Sequence, residues 1–140
     1  MAKVEKYDLP DDLYYHKGHM WARLEGDSFV VGLNDFAQQL AGEVSFVELP
    51  MEGDDVSQDE VIGTIETGKW VQKVCAPVSG TITEVNTELE NEATLINSDP
   101  YGDGWIFKMT VADKSEMDQL MQGEAAFDWL KKEIAEHAPK

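Results

Sequence analysis

The chain has 140 residues, 42% of them apolar, which is enough for one domain, 1–140, with a real core and too apolar for intrinsic disorder. Its 28 acidic residues against 11 basic ones give a net charge of −17, which repels nucleic acid and anionic lipid and favours partners with basic faces. Cys75 is the only cysteine, so no internal disulfide can form; with no apolar run of membrane-spanning length and no signal peptide, the expectation is a soluble, cytoplasmic protein.

Residues 1–14 are polar and are expected to adhere loosely to the body. The aromatic run Tyr14–Trp21 leads into Ala22–Glu25, Gly26-Asp27 turns, and Phe29–Leu33 returns, which reads as a hairpin. Asn34-Asp35 can cap a short helix over Phe36–Leu40 that stops at Gly42. Val44–Leu49 is a strand ended by Pro50, and Gly53-Asp54-Asp55 turns. Val61, Ile62 and Ile65 lead into the tetrapeptide Glu66-Thr67-Gly68-Lys69, and Val71, Val74, Ala76 and Val78 lead out of it. That pattern predicts a second hairpin, with Gly68 available for a positive φ and Lys69 projecting from the tip.

Beyond Gly80, Thr81–Val85 alternates as a strand, and Asn86–Asp99 is a polar loop anchored by Leu95 and Ile96. Pro100–Gly104 turns, and Trp105–Val111 closes the sheet. Asp113 and Glu116 have capping-box spacing and open a helical segment over 113–138, broken at Gly123. Phe46, Ile62, Ile65, Val74, Ile82 and Ile106 are the expected buried strand residues. Short strands at turn spacing with peripheral helices indicate a mainly β fold, a small sandwich or flattened barrel.

No nucleophile–base motif, phosphate-cradling glycine loop or zinc-type cluster stands out, so the chain does not read as an autonomous enzyme. His16 and His19 have no evident third partner and read as packing or surface residues rather than metal ligands. Asp54-Asp55 reads as a solvated turn, and Cys75 as a small strand hydrophobe. An exposed lysine on a rigid hairpin suits a carrier, in which a cofactor brings the chemistry and the protein brings position.

Several ordered motifs then carry a resemblance. They are His19-x-Trp21, Val31-Gly32-Leu33-x-Asp35-x-Ala37-Gln38, Phe46–Pro50, Glu66-x-x-Lys69, Ala76–Gly80, Glu84-Val85-Asn86 and Asn97–Trp105. Over about residues 15–130 the chain resembles the H proteins of the glycine cleavage system, which are lipoyl carriers. The resemblance implies a barrel-sandwich hybrid of the lipoyl/biotinyl-carrier type with a short internal helix and C-terminal helices. It also implies lipoate amide-linked to Lys69, attached by a lipoate ligase or lipoyl transferase. Glu66, Gly53 and Gly80 match positions that the modifying enzymes recognise, whereas Gln58 stands where the family usually has glycine. Gly68 and Trp70 flank the lysine where a biotin carrier has methionines.

By alignment to the family, the cleft that receives the loaded arm involves Gly18, His19, Met20 and Lys73. Met20 and Lys73 stand where the family has acids, and Gly18 where it has serine. Loss of acids disfavours a cationic aminomethyl cargo. The resemblance therefore implies a carrier diverged toward sulfur-bound intermediates, beside a heterodisulfide-reductase-like complex of sulfur oxidation. One alternative is a glycine cleavage H protein serving glycine decarboxylase, aminomethyltransferase and dihydrolipoyl dehydrogenase. Another is an unmodified interaction module on the same scaffold. The expected state is a monomer, with no catalytic or metal-binding residue of its own.

Overall fold

The structure is a computed structural model and describes residues 3–137. Two antiparallel sheets face each other. The larger has six strands in the order β3 (Tyr14–Tyr15), β4 (Met20–Glu25), β5 (Ser28–Leu33), β11 (Phe107–Thr110), β10 (Gly80–Val85) and β7 (Asp55–Val56). The smaller has β6 (Val44–Glu48), β8 (Val61–Thr67) and β9 (Val71–Cys75). Between them lies a core that includes Met20, Leu33, Val47, Ile65, Val74, Ile82, Ile106 and Phe107. This is the two-layer, mainly β architecture expected of a barrel-sandwich hybrid. Among the described residues no helix is long and apolar enough to cross a membrane.

A second core lies outside the larger sheet. The outward residues Tyr15, Trp21 and Val30 pack there against Phe36 of α1 (Asp35–Ala41) and Ala126 and Leu130 of α3 (Gly123–His137). The N-terminal segment is part of it. Residues 3–8 form a small hairpin of β1 (Lys3–Val4) and β2 (Tyr7–Asp8), and Val4, Leu9 and Leu13 are buried. Loose attachment of residues 1–14 is thus corrected for the described part, because its hydrophobes are spaced to reach one apolar face; Met1 and Ala2 lie outside the described residues. Each buried aliphatic contributes about 1.5–3 kcal/mol, whereas an exposed pair such as Lys3–Asp8 contributes about 0–1 kcal/mol. The apolar cluster therefore holds this layer.

Four expected elements differ in detail. Phe46 is 54% exposed, because a register shift between Val44 and Phe46 lets Val44 and Val47 both face inward. Ile62 beside a similar shift is only half-buried. The loop after β10 contains a 3-10 turn over Thr87–Glu90 and a one-turn helix, α2 (Leu95–Ser98). The segment from Asp113 is a 3-10 stretch, Lys114–Gln119, and no capping box forms. Asp113 accepts from Ser115 instead, while Glu116 accepts from the Ser79 amide and hydroxyl, a long-range tie. Gly123, with φ +55°, opens α3 beyond this stretch, and the expected end at residue 138 lies outside the described residues.

Candidate functional site

The β8–β9 hairpin forms as its sequence predicts and carries Lys69 at an exposed tip. The Thr67 amide donates to the Trp70 carbonyl at 2.9 Å, closing the turn. Gly68 lies outside the left-handed region, so the expected positive φ is not what makes the turn; the Thr67 hydroxyl does more. That oxygen accepts from the Lys69 amide and donates to the Ala41 carbonyl at 2.8 Å, tying the tip to the end of α1.

The end of α1 is itself fixed. Gly42 adopts φ +92° and its amide donates to the Gln38 carbonyl. Asn97 then braces the corner: its Oδ1 accepts from the Val44 amide, and its Nδ2 donates to Gln38 Oε1 and to the Gly42 carbonyl. The Lys69 side chain runs across Gly42, where an added methyl would lie 3.2 Å from Cε. Glycine at 42 thus serves both the left-handed corner and the passage of the lysine.

On the other side of the tip is a small pocket of about 80 Å³ lined by His19, Phe36, Ala37, Leu40, Trp70 and Gln72. His19 sits at φ +69° and its Nε2–H donates to Glu133 of α3 at 2.8 Å, while Nδ1 accepts from Asn34. Its ring lies against Trp129 and Phe36. Of the four cleft residues expected from the sequence, His19 alone lines this pocket. Gly18 stands at its margin, its carbonyl accepting from Gln72.

Met20 and Lys73, expected beside His19, do not line this pocket. Met20 pairs with Leu33 and is fully buried in the core between the sheets. Lys73 is exposed opposite Thr64, and strand alternation turns it away from the pocket that Gln72 lines.

Glu66 lies half-exposed on the outer face of the smaller sheet between Phe46 and Val71. Gly53 makes its turn at φ +90°. Gly80 has a packing reason of its own: an added methyl would lie 1.9 Å from the Thr110 carbonyl oxygen. Gln58 is also held structurally, its side-chain amide donating to the carbonyls of Pro77 and Glu116.

His16 donates to Asp59, and that hydrogen bond holds the Asp59 carboxyl below the usual range. Cys75 is half-buried, and burial, followed by the Asp59 charge, pushes its thiol up, away from a reactive thiolate. Among the described residues, no group of three or more His, Cys, Asp or Glu gathers as a metal-holding set.

The site also uses residues that pattern reading did not single out. Leu40, Gln72 and Thr67 carry no composition signal. Asn97 lay within a recognised motif, and its role as a brace depends on a contact across 53 residues to Val44.

Comparison with known proteins follows the same lines. The family model described as Glycine cleavage H-protein matches residues 13–133. The chain is 48% identical over 124 residues to a probable glycine cleavage system H protein of Haloarcula marismortui, covering 89% of this chain and 98% of the relative. It is 47% identical over 118 residues to a glycine cleavage system H protein of Salinibacter ruber, covering 84% and 95%. The crystal structure of a glycine cleavage system H protein from Mycobacterium marinum superposes with a TM-score of 0.75 at 31% identity, covering 89% of this chain and 98% of that one.

Proposed function

The chain belongs to the glycine cleavage H-protein family, whose members are non-catalytic lipoyl carriers, and from that premise we propose that Lys69 is the residue that bears the lipoate. The carrying observation is an exposed amine on a tip that is itself immobilised, by Thr67 on Ala41 and by Asn97 beneath Gly42. Such a tip presents one lysine to a lipoate ligase or lipoyl transferase, with Glu66, Gly53 and Gly80 on the surrounding scaffold as recognition residues. When bound, lipoate supplies a disulfide that opens to two thiols able to take up and release a group. The protein's part is to hold the attachment point, keep the tip accessible and shelter the arm beside His19. A rigid base and a flexible arm suit delivery among several enzymes.

We take the cargo to be the aminomethyl group of glycine cleavage, passed between glycine decarboxylase, aminomethyltransferase and dihydrolipoyl dehydrogenase; the names of the relatives support this. A specific observation favours a second reading. The pocket beside the tip has no carboxylate among its lining residues, and Glu133 reaches it only through His19. An apolar pocket suits an uncharged, sulfur-bearing arm, as a sulfur carrier beside a heterodisulfide-reductase-like complex would need. The experiment lipoylates and reduces the protein, then offers it to glycine decarboxylase with glycine. Carbon dioxide release at the rate of an authentic H protein supports the first reading, and little or none supports the second.

A further inference from the structure

The smaller sheet ends at β6, which pairs with β8 on one side and with no strand on the other. The direction of its backbone groups follows from the hairpin beside it. The Thr67 amide donates to the Trp70 carbonyl, so these two form a bonded pair of the β8–β9 ladder. Bonded and non-bonded pairs alternate along antiparallel strands, which makes Ile65–Gln72 a bonded pair and turns the Ile65 backbone toward β9. Val47 lies opposite Ile65, so its own N–H and C=O point away from β8, toward the open edge. Among the described residues, no group beyond β8 hydrogen-bonds to them. They face a groove of about 480 Å³ lined by Phe46, Val47, Glu48, Val85, Leu89 and Glu90. We propose that this edge receives an extended segment of a partner protein, added antiparallel to β6 at Val47. The segment carries a Lys or Arg opposite Glu48, an apolar residue facing Val85 and Leu89, and an aromatic residue over Phe46.

Each feature of that segment follows from a residue of the edge. The Val47 side chain is buried, yet its amide and carbonyl lack a partner, and a pairing strand supplies both an acceptor and a donor. Val44 closes one end, because its amide is taken by Asn97 and Ser45 lies in the bulge, so addition starts beyond them. Phe46 is 54% exposed and points, like Glu48, to the outer face of the sheet. A residue opposite Phe46 covers that ring, and a cation opposite Glu48 meets an opposite charge across the strands. The residue between them points the other way, toward Val85 and Leu89. Charge also decides between a partner and a second copy: a second copy brings its own net −17, whereas a basic segment is attracted. Ser45 lines both this groove and the hollow that contains Lys69, so a protein held here stands beside the hairpin tip. The edge can act in this way whichever lysine carries a modification.

The test titrates the isotope-labelled, unmodified full chain with the capped peptide acetyl-Thr-Lys-Val-Tyr-Thr-amide, so its outcome is separate from the assignment of Lys69. The peptide should bind with a Kd of about 1 mM or tighter. It should shift the amide signals of Val47, Glu48 and Leu89, with the Val47 amide proton moving downfield as it gains a bond. N-methylation of the peptide's valine removes the one N–H aimed at the Val47 carbonyl and should weaken binding at least about tenfold. Glu48→Gln, a change at an exposed side chain, should weaken it roughly two- to fivefold. Equal binding of the N-methylated peptide, equal binding of a peptide with Glu in place of Lys, shifts centred away from β6, or no saturable binding overturns the proposal. Shifts at Val47 that grow with the concentration of the protein alone also overturn it, in favour of pairing between two copies.

Discussion

Lys69 contributes little to stability, since it is exposed and its backbone is held by Thr67. Lys69→Arg should therefore alter the unfolding free energy by less than about 0.5 kcal/mol, while removing the amine that the proposed lipoyl amide requires. Matching urea midpoints, with no lipoyl adduct on the variant, check both halves. The glycines separate in the same way. Gly68→Ala meets open space and should be neutral within about 0.5 kcal/mol. Gly80→Ala drives a methyl against the Thr110 carbonyl and should cost about 1–3 kcal/mol by forcing β10 and β11 apart. Equal midpoints for the two variants would show that the close approach at Gly80 is relieved at no cost. Alkaline titration reads the buried phenols. Burial, above all, pushes the Tyr15 and Tyr101 hydroxyls up, and Tyr15 donates to the Pro10 carbonyl at 2.6 Å. A pKa raised on folding gives stability that is complete below the ordinary phenol value of about 10 and is lost as pH rises beyond it. The urea midpoint should fall between about pH 9 and 11, and Tyr15→Phe should lessen the fall; a flat profile would contradict this.

The elements show what a sequence reveals and what it leaves to the fold. Both hairpins were legible because their alternation is undisturbed at the turns, and α1 because Asn34 caps it in the expected way, accepting from the Ala37 amide. Phe46 was misplaced because a bulge breaks alternation without changing the local pattern of residues. A helix after Gly123 is legible, but where it and the N-terminal segment pack is not, because each is only half a surface; their hydrophobes make sense when Trp21 and Val30 supply the other half. The exposed tip position of Lys69 is legible from its turn and its motif. The places of Met20 and Lys73 are not, since alignment gives a position in the chain but not the face of the strand. Burial sets the cost of change in each core. Ile82→Ala between the sheets and Leu130→Ala under α3 should each cost about 2–5 kcal/mol, measured by urea denaturation, because both side chains are fully buried. A midpoint for Leu130→Ala equal to that of the parent chain would mean that α3 does not close the second core.

Across the whole molecule, a net charge of −17 sets how partners approach. Enzymes that take up the arm should present basic faces, and their association rates should fall as salt rises from low to physiological ionic strength, where the screening length is about 8 Å. Stopped-flow association with a purified partner enzyme at several salt concentrations checks this, and rates independent of salt would oppose it. The acidic surface, the two-layer β scaffold and the braced tip converge on one residue, the lysine whose side chain crosses Gly42. Peptide mass spectrometry of the protein isolated from its native host addresses that residue directly. It should find one lipoyl adduct, on Lys69; an adduct on Lys73, or none at all, would contradict the assignment.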